Sequence, residues 1–135
     1  MSIRSRRVQI AGAAIVASLV IALAGCSGPS DELAQSRKDA VAAVGSAALA
    51  TSLHRDGRAP TAWLATQYGD ELKELGSAEQ SVEQLDTKGR STVERARLLR
   101  AIRAGIEAVK AAQRELNAGG TPPATALKRV REQLR

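Results

Sequence analysis

The chain has 135 residues, with 20 Lys and Arg against 14 Asp and Glu, and a formal net charge of +6. Hydrophobic residues make up 44% of the sequence and aromatic residues only 1%. The length permits one small domain, and the apolar share argues against a wholly disordered chain. A single Cys excludes an intramolecular disulfide, and a single His excludes most zinc sites and Ser-His-Asp arrangements.

The N-terminal segment has the parts of an export signal. Arg4, Arg6 and Arg7 precede an apolar stretch over residues 8–23. A basic region, an apolar region and small residues before a cleavage point are typical of a signal peptide, whose arginines stay on the cytoplasmic side. The sequence therefore predicts that residues 1–25 form a signal helix that is removed after export.

The end of this segment, Leu23-Ala24-Gly25-Cys26, resembles the lipobox of bacterial lipoproteins. The resemblance implies that the Cys26 thiol receives a diacylglyceryl group, that a peptidase cuts just before it, and that the new amino terminus is open to acylation. Two or more acyl chains give stable membrane anchoring. Residues 26–30 are then a lipidated Cys and a short tether. This predicts a lipid-anchored protein at the extracytoplasmic face of the cell membrane.

Two alternatives stay open for the same segment. An uncleaved transmembrane anchor is one of them, because an apolar run of about 18 residues can barely span a bilayer. The other concerns the export route, since the residues around Arg6 and Arg7 partly resemble a twin-arginine signal. Gln9 stands where that pattern has an aromatic residue, and this favours the general secretory route.

The rest of the chain has helical periodicity and no alternating pattern typical of strands. We predict helices at about residues 31–53, 61–86, 91–117 and 123–134. Three helices of about 35–40 Å, joined by short connections, have to lie antiparallel. The predicted fold class is all-α, an antiparallel three-helix bundle with a short C-terminal fourth helix, which makes residues 31–135 one domain.

Local signals define the ends and faces of these helices. Ser30 is the predicted N-cap of the first helix, and residues 91–94 form a capping box that opens the third. The second helix is predicted to continue through Gly76. The alanines of the first helix allow close helix approach, and its larger apolar side chains are predicted to supply the core. These are Leu33, Val41, Val44, Leu49 and Leu53.

The later helices carry the most prominent candidate binding face, which is basic. Its members on the third and fourth helices are Arg100, Arg103, Lys110, Arg114, Lys128, Arg129, Arg131 and Arg135. This face could meet anionic lipid headgroups, a phosphate-rich envelope polymer or an acidic protein. Alternatively, it lies against the acidic second helix, whose residues are Asp70, Glu71, Glu74, Glu79, Glu83 and Asp86. Those acidic residues are interpreted as a solvated or salt-bridged face, since their spacing matches no calcium loop.

The remaining chemically distinctive residues stand alone. His54 at the end of the first helix is expected to interact with the helix dipole. Tyr68 is expected in the core, and Trp63 either packs at the end of the bundle or touches a partner. No catalytic set, metal site or cofactor-binding motif is recognised, so an enzyme is not expected.

These observations lead to one preferred function and one alternative. The preferred function is a non-enzymatic helical interaction or scaffolding module, tethered to the membrane by Cys26 and contacting another envelope protein. The alternative is direct binding of an anionic envelope ligand by the basic face. Nucleic acid is not expected as a partner, and self-association through the third helix stays open. Once the signal is removed the net charge becomes +3, divided into −5 over residues 26–87 and +8 over residues 88–135.

Overall fold

The computed structural model describes residues 28–135, and the predicted signal segment and Cys26 lie outside the described residues. Within the described range the chain is all-helical, without strands, which confirms the predicted all-α class. The helices are α1 (Pro29–Arg55), α2 (Thr61–Gln84), α3 (Arg90–Asn117) and α4 (Ala124–Leu134). None of these four helices is long and apolar enough to cross a membrane.

The start of α1 differs from the prediction. Gly28 is the N-cap and Pro29 the first helical residue, whereas Ser30 lies inside the helix. The predicted cap at Ser30 is therefore wrong, and the tether ends before Pro29. Proline is favoured at this position because its fixed φ suits a helix and its missing N–H would have no helical partner. Asp31 lies in the first turn, where the helix dipole favours a negative charge.

The predicted continuity of α2 through Gly76 is confirmed, whereas the predicted N-terminal cap of α3 is wrong. The second helix runs without interruption through Gly76 and ends at Gln84, two residues before the predicted end. The third begins at Arg90, after Gly89 with a φ of +61°, and has no side-chain cap. The capping box over residues 91–94 does not form, because Ser91 already lies within the helix and its side chain cannot serve as the N-cap.

The core is closely packed where α3 carries a buried glycine. A Cβ atom added to Gly105 would lie 3.1 Å from Val44 Cγ2 of α1, 3.7 Å from Leu75 Cδ2 of α2 and 3.7 Å from Val130 Cγ1 of α4. Side chains of α1, α2 and α4 therefore converge on this glycine of α3. Close approach at this level requires small residues, and Ala47 of α1 is fully buried, as the alanine pattern predicted.

A buried hydrogen-bonded chain joins α1 to α2. The hydroxyl of Thr51 donates to the carbonyl of Ala47 at 2.7 Å and lies 2.7 Å from the hydroxyl of Tyr68. Since a threonine hydroxyl has one proton, Tyr68 is the donor in the second bond. Tyr68 is fully buried, as predicted.

Leu49 of α1 does not have the burial that was predicted for it. It was predicted to face the core and is 61% exposed instead, because alanines and Val44 occupy the buried face of α1.

The short α4 docks onto α1 and α3, and within residues 28–135 no Cα atom of α4 lies within 8 Å of a Cα atom of α2. Leu127 and Leu134 of α4 are buried in the core, and Pro122 in the preceding segment is buried as well. Because burial of these apolar groups is the main favourable term in docking, they determine where the cationic side chains of α4 are placed.

Candidate functional site

The predicted lipid-attachment residues Leu23, Ala24, Gly25 and Cys26 all lie outside the described residues. The basic residues predicted on α3 and α4 can all be located. They separate into three environments, namely cations paired with acidic side chains, exposed cations, and one cation packed against α1.

Arg103 is the cation of α3 that pairs with α2. Its Nε lies 2.6 Å from Glu79 Oε1 and its Nη2 lies 2.5 Å from Glu83 Oε1. The hydrogen bond to Glu79 is the largest cause of the raised pKa of Arg103, and Glu83 adds to it. On the same helix Lys110 pairs with Glu107 at 3.3 Å. Arg103 follows the interpretation in which the basic face lies against the acidic second helix, whereas Lys110 is paired within its own helix.

Four other members of the basic face are exposed and make no ion pair with another residue of the described chain. They are Arg100, Arg114, Lys128 and Arg129. Their charge is therefore directed to the solvent and not to the acidic residues of α2.

Arg131 does not share the surroundings of these residues. A Cβ atom added to Gly45 of α1 would lie 3.1 Å from Arg131 Nε and 3.4 Å from its Cζ, so the guanidinium group lies directly over the glycine. The Nε atom is buried and has no hydrogen-bond partner among the described residues. A side chain at position 45 would displace the guanidinium group, and the glycine therefore makes this packing possible.

Arg131 lies in a groove of about 730 Å³ between α1 and α4, which we call the α1–α4 groove. Its lining residues are Arg37, Lys38, Val41, Ala42, Gly45, Ser46, Leu49, Arg131 and Arg135. The floor is apolar and the rim is cationic, and none of these lining residues, all within the described range, is acidic. Among them Arg135 pairs with Glu132 at 3.2 Å, one turn earlier in the same helix. The volume falls in the range of small-molecule sites, which is about 300–1,000 Å³.

The contribution of α1 to this groove was not foreseen. Arg37 and Lys38 were not among the predicted binding residues, and Leu49 was assigned to the core. Within residues 28–135 neither Arg37 nor Lys38 takes part in an ion pair. The sequence signal at the groove is Gly45, a helix-interior glycine, but it did not distinguish this position, because Gly69 and Gly76 of α2 are also helix-interior glycines and have open space around them.

The acidic residues of α2 do not converge on a metal-binding arrangement. Glu71 and Glu74 line a shallow notch of about 230 Å³ beside Asp39 of α1, and Asp70 pairs with Lys73 at 3.1 Å. Among the described residues, no group of three or more His, Cys, Asp or Glu side chains is placed to hold a metal ion. The notch and the α1–α4 groove share Ala42 and Ser46, so α1 separates an acidic surface from a basic one.

The isolated residues have structural roles at the α1–α2 end. His54 Nδ1 lies 2.8 Å from the carbonyl oxygen of Ala59 and closes the connection between the two helices. Trp63 is 39% exposed and lines a small cavity with Pro60 and Arg58. Burial raises the pKa of Tyr68, and the hydrogen bond with Thr51 offsets this only in part.

In chemical terms the α1–α4 groove is the most distinctive surface of the described chain. It combines cationic donors with apolar contact area and lies on rigid helices. No protein-family model, curated protein or solved structure matches the chain. The function proposed for it therefore rests on its own residues.

Proposed function

We propose that the chain is an exported lipoprotein, anchored through lipid on Cys26, whose helical domain is a non-enzymatic interaction module at the outer face of the cytoplasmic membrane. The anchor is supported by the four residues Leu23-Ala24-Gly25-Cys26, each of which fits the lipobox pattern. Since α1 begins at Pro29, at most about 11 Å of chain separates the lipidated residue from the first helix. The domain is thereby held directly beside the bilayer.

The proposed arrangement of α1, α2 and α3 is an antiparallel, up-down-up bundle that carries α4 on its side. Two contacts between α2 and α3 support it. Arg95 donates to the carbonyl of Leu85, ten positions earlier, and Arg103 donates to Glu79, 24 positions earlier. Contacts whose sequence separation grows away from the connecting segment are typical of an antiparallel helix pair.

The observation that carries the interaction role is the exposed side of α3. Val93 is 61% exposed there, and Arg100 and Arg114, at heptad spacing from it, are exposed without an ion pair within residues 28–135, so this helix presents both charge and apolar area to the surroundings. The groups suited to acid–base chemistry serve the fold instead, since His54 closes a connection and Tyr68 is buried in a hydrogen-bonded chain. We therefore propose another envelope protein as the partner, contacted through a helix face.

A second candidate function is direct binding of an anionic envelope ligand by the basic residues of α3 and α4. The exposure of Arg100, Arg114, Lys128 and Arg129 favours it, as does their lack of ion pairs within residues 28–135. Arg103 and Lys110, which are already paired, contribute less to such binding.

The anchor is tested by the intact mass and fractionation of the protein made in a bacterial host. Acylated residues 26–135 in the membrane fraction are expected. Cys26→Ser should abolish both the lipid mass and the processing, and Ser30→Ala, an exposed change just after the tether, should alter neither. An unmodified chain that retains residues 1–25 would refute lipidation.

The second candidate is tested with inorganic polyphosphate as the probe and the full chain reconstituted in neutral vesicles. Binding should occur at low salt and be lost at high salt, because screening weakens exposed charge interactions. Reversing Arg100 and Arg114 to Glu should weaken the binding, whereas Arg103→Gln, at a cation that is already paired, should change it little. Binding that is unaltered by the two reversals contradicts this candidate.

A further inference from the structure

Three of the four cations that line the α1–α4 groove have no neutralising partner within the described residues. Arg37 and Lys38 of α1 lie on the same groove as Arg131 of α4, and none of the three forms an ion pair within the described residues. Like charges held close together repel one another, and an anion bound between them removes this repulsion. Arginine is well suited to a phosphate because its planar fork donates two parallel hydrogen bonds to the phosphate oxygens.

Arg131 is held in position for such a contact. Its guanidinium group lies over Gly45, with Nε buried and without a hydrogen-bond partner in the part of the chain that the structure describes. Buried polar atoms of this kind are uncommon in native proteins. Because the guanidinium group carries five N–H donors in a fixed geometry, placing Nε against α1 determines where its remaining donors point. A side chain fixed in this way loses little freedom when it binds an anion.

The floor of the groove favours an alkyl chain over an extended peptide. It is formed by Val41, Ala42, Gly45 and Leu49, all on α1, whose backbone groups are already engaged within the helix. An extended peptide laid on such a floor would leave its own N–H and C=O groups unpaired, which is unfavourable. An alkyl chain has no such groups. From Arg37 to Leu49 the floor extends for about 18 Å along the helix.

We propose that the α1–α4 groove binds one molecule of a phosphate-headed membrane lipid, with the phosphate held by Arg131 and Arg37 and an acyl chain lying over Val41, Ala42 and Leu49, beside the guanidinium group that covers Gly45. The choice of a membrane lipid rests on the proposed anchoring through Cys26. The near end of the groove, at Arg37, lies within about 23 Å of Cys26 along the chain and the helix. The N-terminal residues of this chain are a poor occupant, since Arg4, Arg6 and Arg7 have the same charge as the rim.

The test places a photoreactive side chain in the groove of the full-length protein in its own membrane. A photoreactive phenylalanine analogue replaces Leu49 in one sample and Val93 of α3 in a matched control, because both residues are 61% exposed. After irradiation, the purified protein is analysed by mass spectrometry. The proposal predicts a phospholipid adduct at position 49 and little or none at position 93.

Charge variants then test the headgroup contact. Arg131→Gln should reduce the lipid adduct at position 49 by about tenfold, the factor expected when one charge-assisted hydrogen bond is lost. Arg131→Lys, which keeps the charge without the planar fork, should give an intermediate yield. Arg114→Gln, an exposed change outside the groove, should have no effect. Circular dichroism of each variant verifies that the helices are intact.

The other results overturn the proposal. An adduct with a second copy of the chain, an adduct with an acidic protein, equal lipid adducts at positions 49 and 93, or no adduct at position 49 would each exclude a lipid site in the groove. The intact mass of the same samples reports separately on the modification of Cys26. A lipidated protein without a lipid adduct refutes the groove proposal alone, and an unlipidated protein refutes the anchoring.

Discussion

Substituting Gly105 by alanine tests a close contact between α1 and α3, and Gly76→Ala provides a matched control. Both glycines lie in helix interiors, Gly105 in α3 and Gly76 in α2. They differ in their surroundings, since nothing lies within 4 Å of a Cβ added at Gly76, whereas a Cβ added at Gly105 meets Val44 Cγ2 at 3.1 Å.

Two opposing effects determine the result. Replacing a helix-interior glycine by alanine stabilises a helix by about 1 kcal/mol. At Gly105 the new methyl group would also be too close to Val44, because carbon atoms prefer separations of about 3.5–4.0 Å. Overpacking of this kind typically costs about 1–3 kcal/mol. We therefore expect Gly76→Ala to raise the free energy of unfolding by about 1 kcal/mol, and Gly105→Ala to lower it by up to about 2 kcal/mol.

Urea unfolding, followed by circular dichroism and by the fluorescence of the single tryptophan, measures both changes. Val44→Ala removes the clashing methyl group, so the Gly105→Ala/Val44→Ala double variant should be more stable than the sum of the two single changes predicts. If Gly105→Ala stabilises the protein as much as Gly76→Ala does, then Val44 does not lie over Gly105 and the packing derived for α1 and α3 is wrong.

Three further predictions concern the polar contacts between helices. Thr51→Val leaves the buried Tyr68 hydroxyl without its acceptor, and the free energy of unfolding, measured by urea unfolding, should fall by about 1–3 kcal/mol. Adding Tyr68→Phe to Thr51→Val removes the unpaired hydroxyl and should restore part of that loss. If it restores none, the hydrogen bond from Tyr68 to Thr51 is wrongly assigned. Because burial raises the pKa of Tyr68, its contribution to stability is complete below the unfolded pKa of about 10 and is lost as the pH rises through the folded pKa. An ultraviolet titration should therefore show this single tyrosine ionising together with unfolding, and ionisation at the ordinary pKa with intact helices would be inconsistent with burial. Arg103→Gln should lower the melting temperature at low salt and have little effect on it at high salt. The control Arg100→Gln should have little effect at either salt concentration. A decrease of the melting temperature by Arg103→Gln that does not depend on salt would count against the ion pairs of Arg103 with Glu79 and Glu83.

The helices could be predicted from sequence because glycine and proline residues mark their ends clearly. Gly57 and Pro60 separate α1 from α2, and Gly119 follows α3, so the predicted bounds differ from the observed ones by only a few residues. The caps were harder to predict, since a capping box at residues 91–94 competes with a start one residue earlier, at Arg90 after Gly89. Helix nucleation after a glycine with positive φ places Ser91 where its side chain cannot cap.

The faces of α1 could be predicted only in part. Its buried surface is composed mainly of alanine. Because alanine is only weakly apolar, the buried face does not stand out in the hydrophobic pattern, and a larger leucine on the exposed face is then mistaken for a core residue. Leu49 was misassigned for this reason. The groove was beyond prediction for a second reason, which is that it exists only once α4 has docked, and the chain between Asn117 and Ala124 does not specify which helices α4 will contact.

The placement of α4 explains why the charge of this protein is only partly used in pairing its helices. Electrostatics alone would place the basic α4 against the acidic α2, yet α4 packs on α1 and α3 within the described residues. Burial of Leu127 and Leu134 decides the docking site, since the hydrophobic term outweighs exposed charge interactions that are worth at most about 1 kcal/mol each. The consequence is that Arg131 is carried to α1, over Gly45 and on the groove that Arg37 also lines, where its charge is not neutralised within the described residues. A small core can tolerate this repulsion because the cations are near solvent, and the tolerated cluster then remains available to an anion from outside the chain.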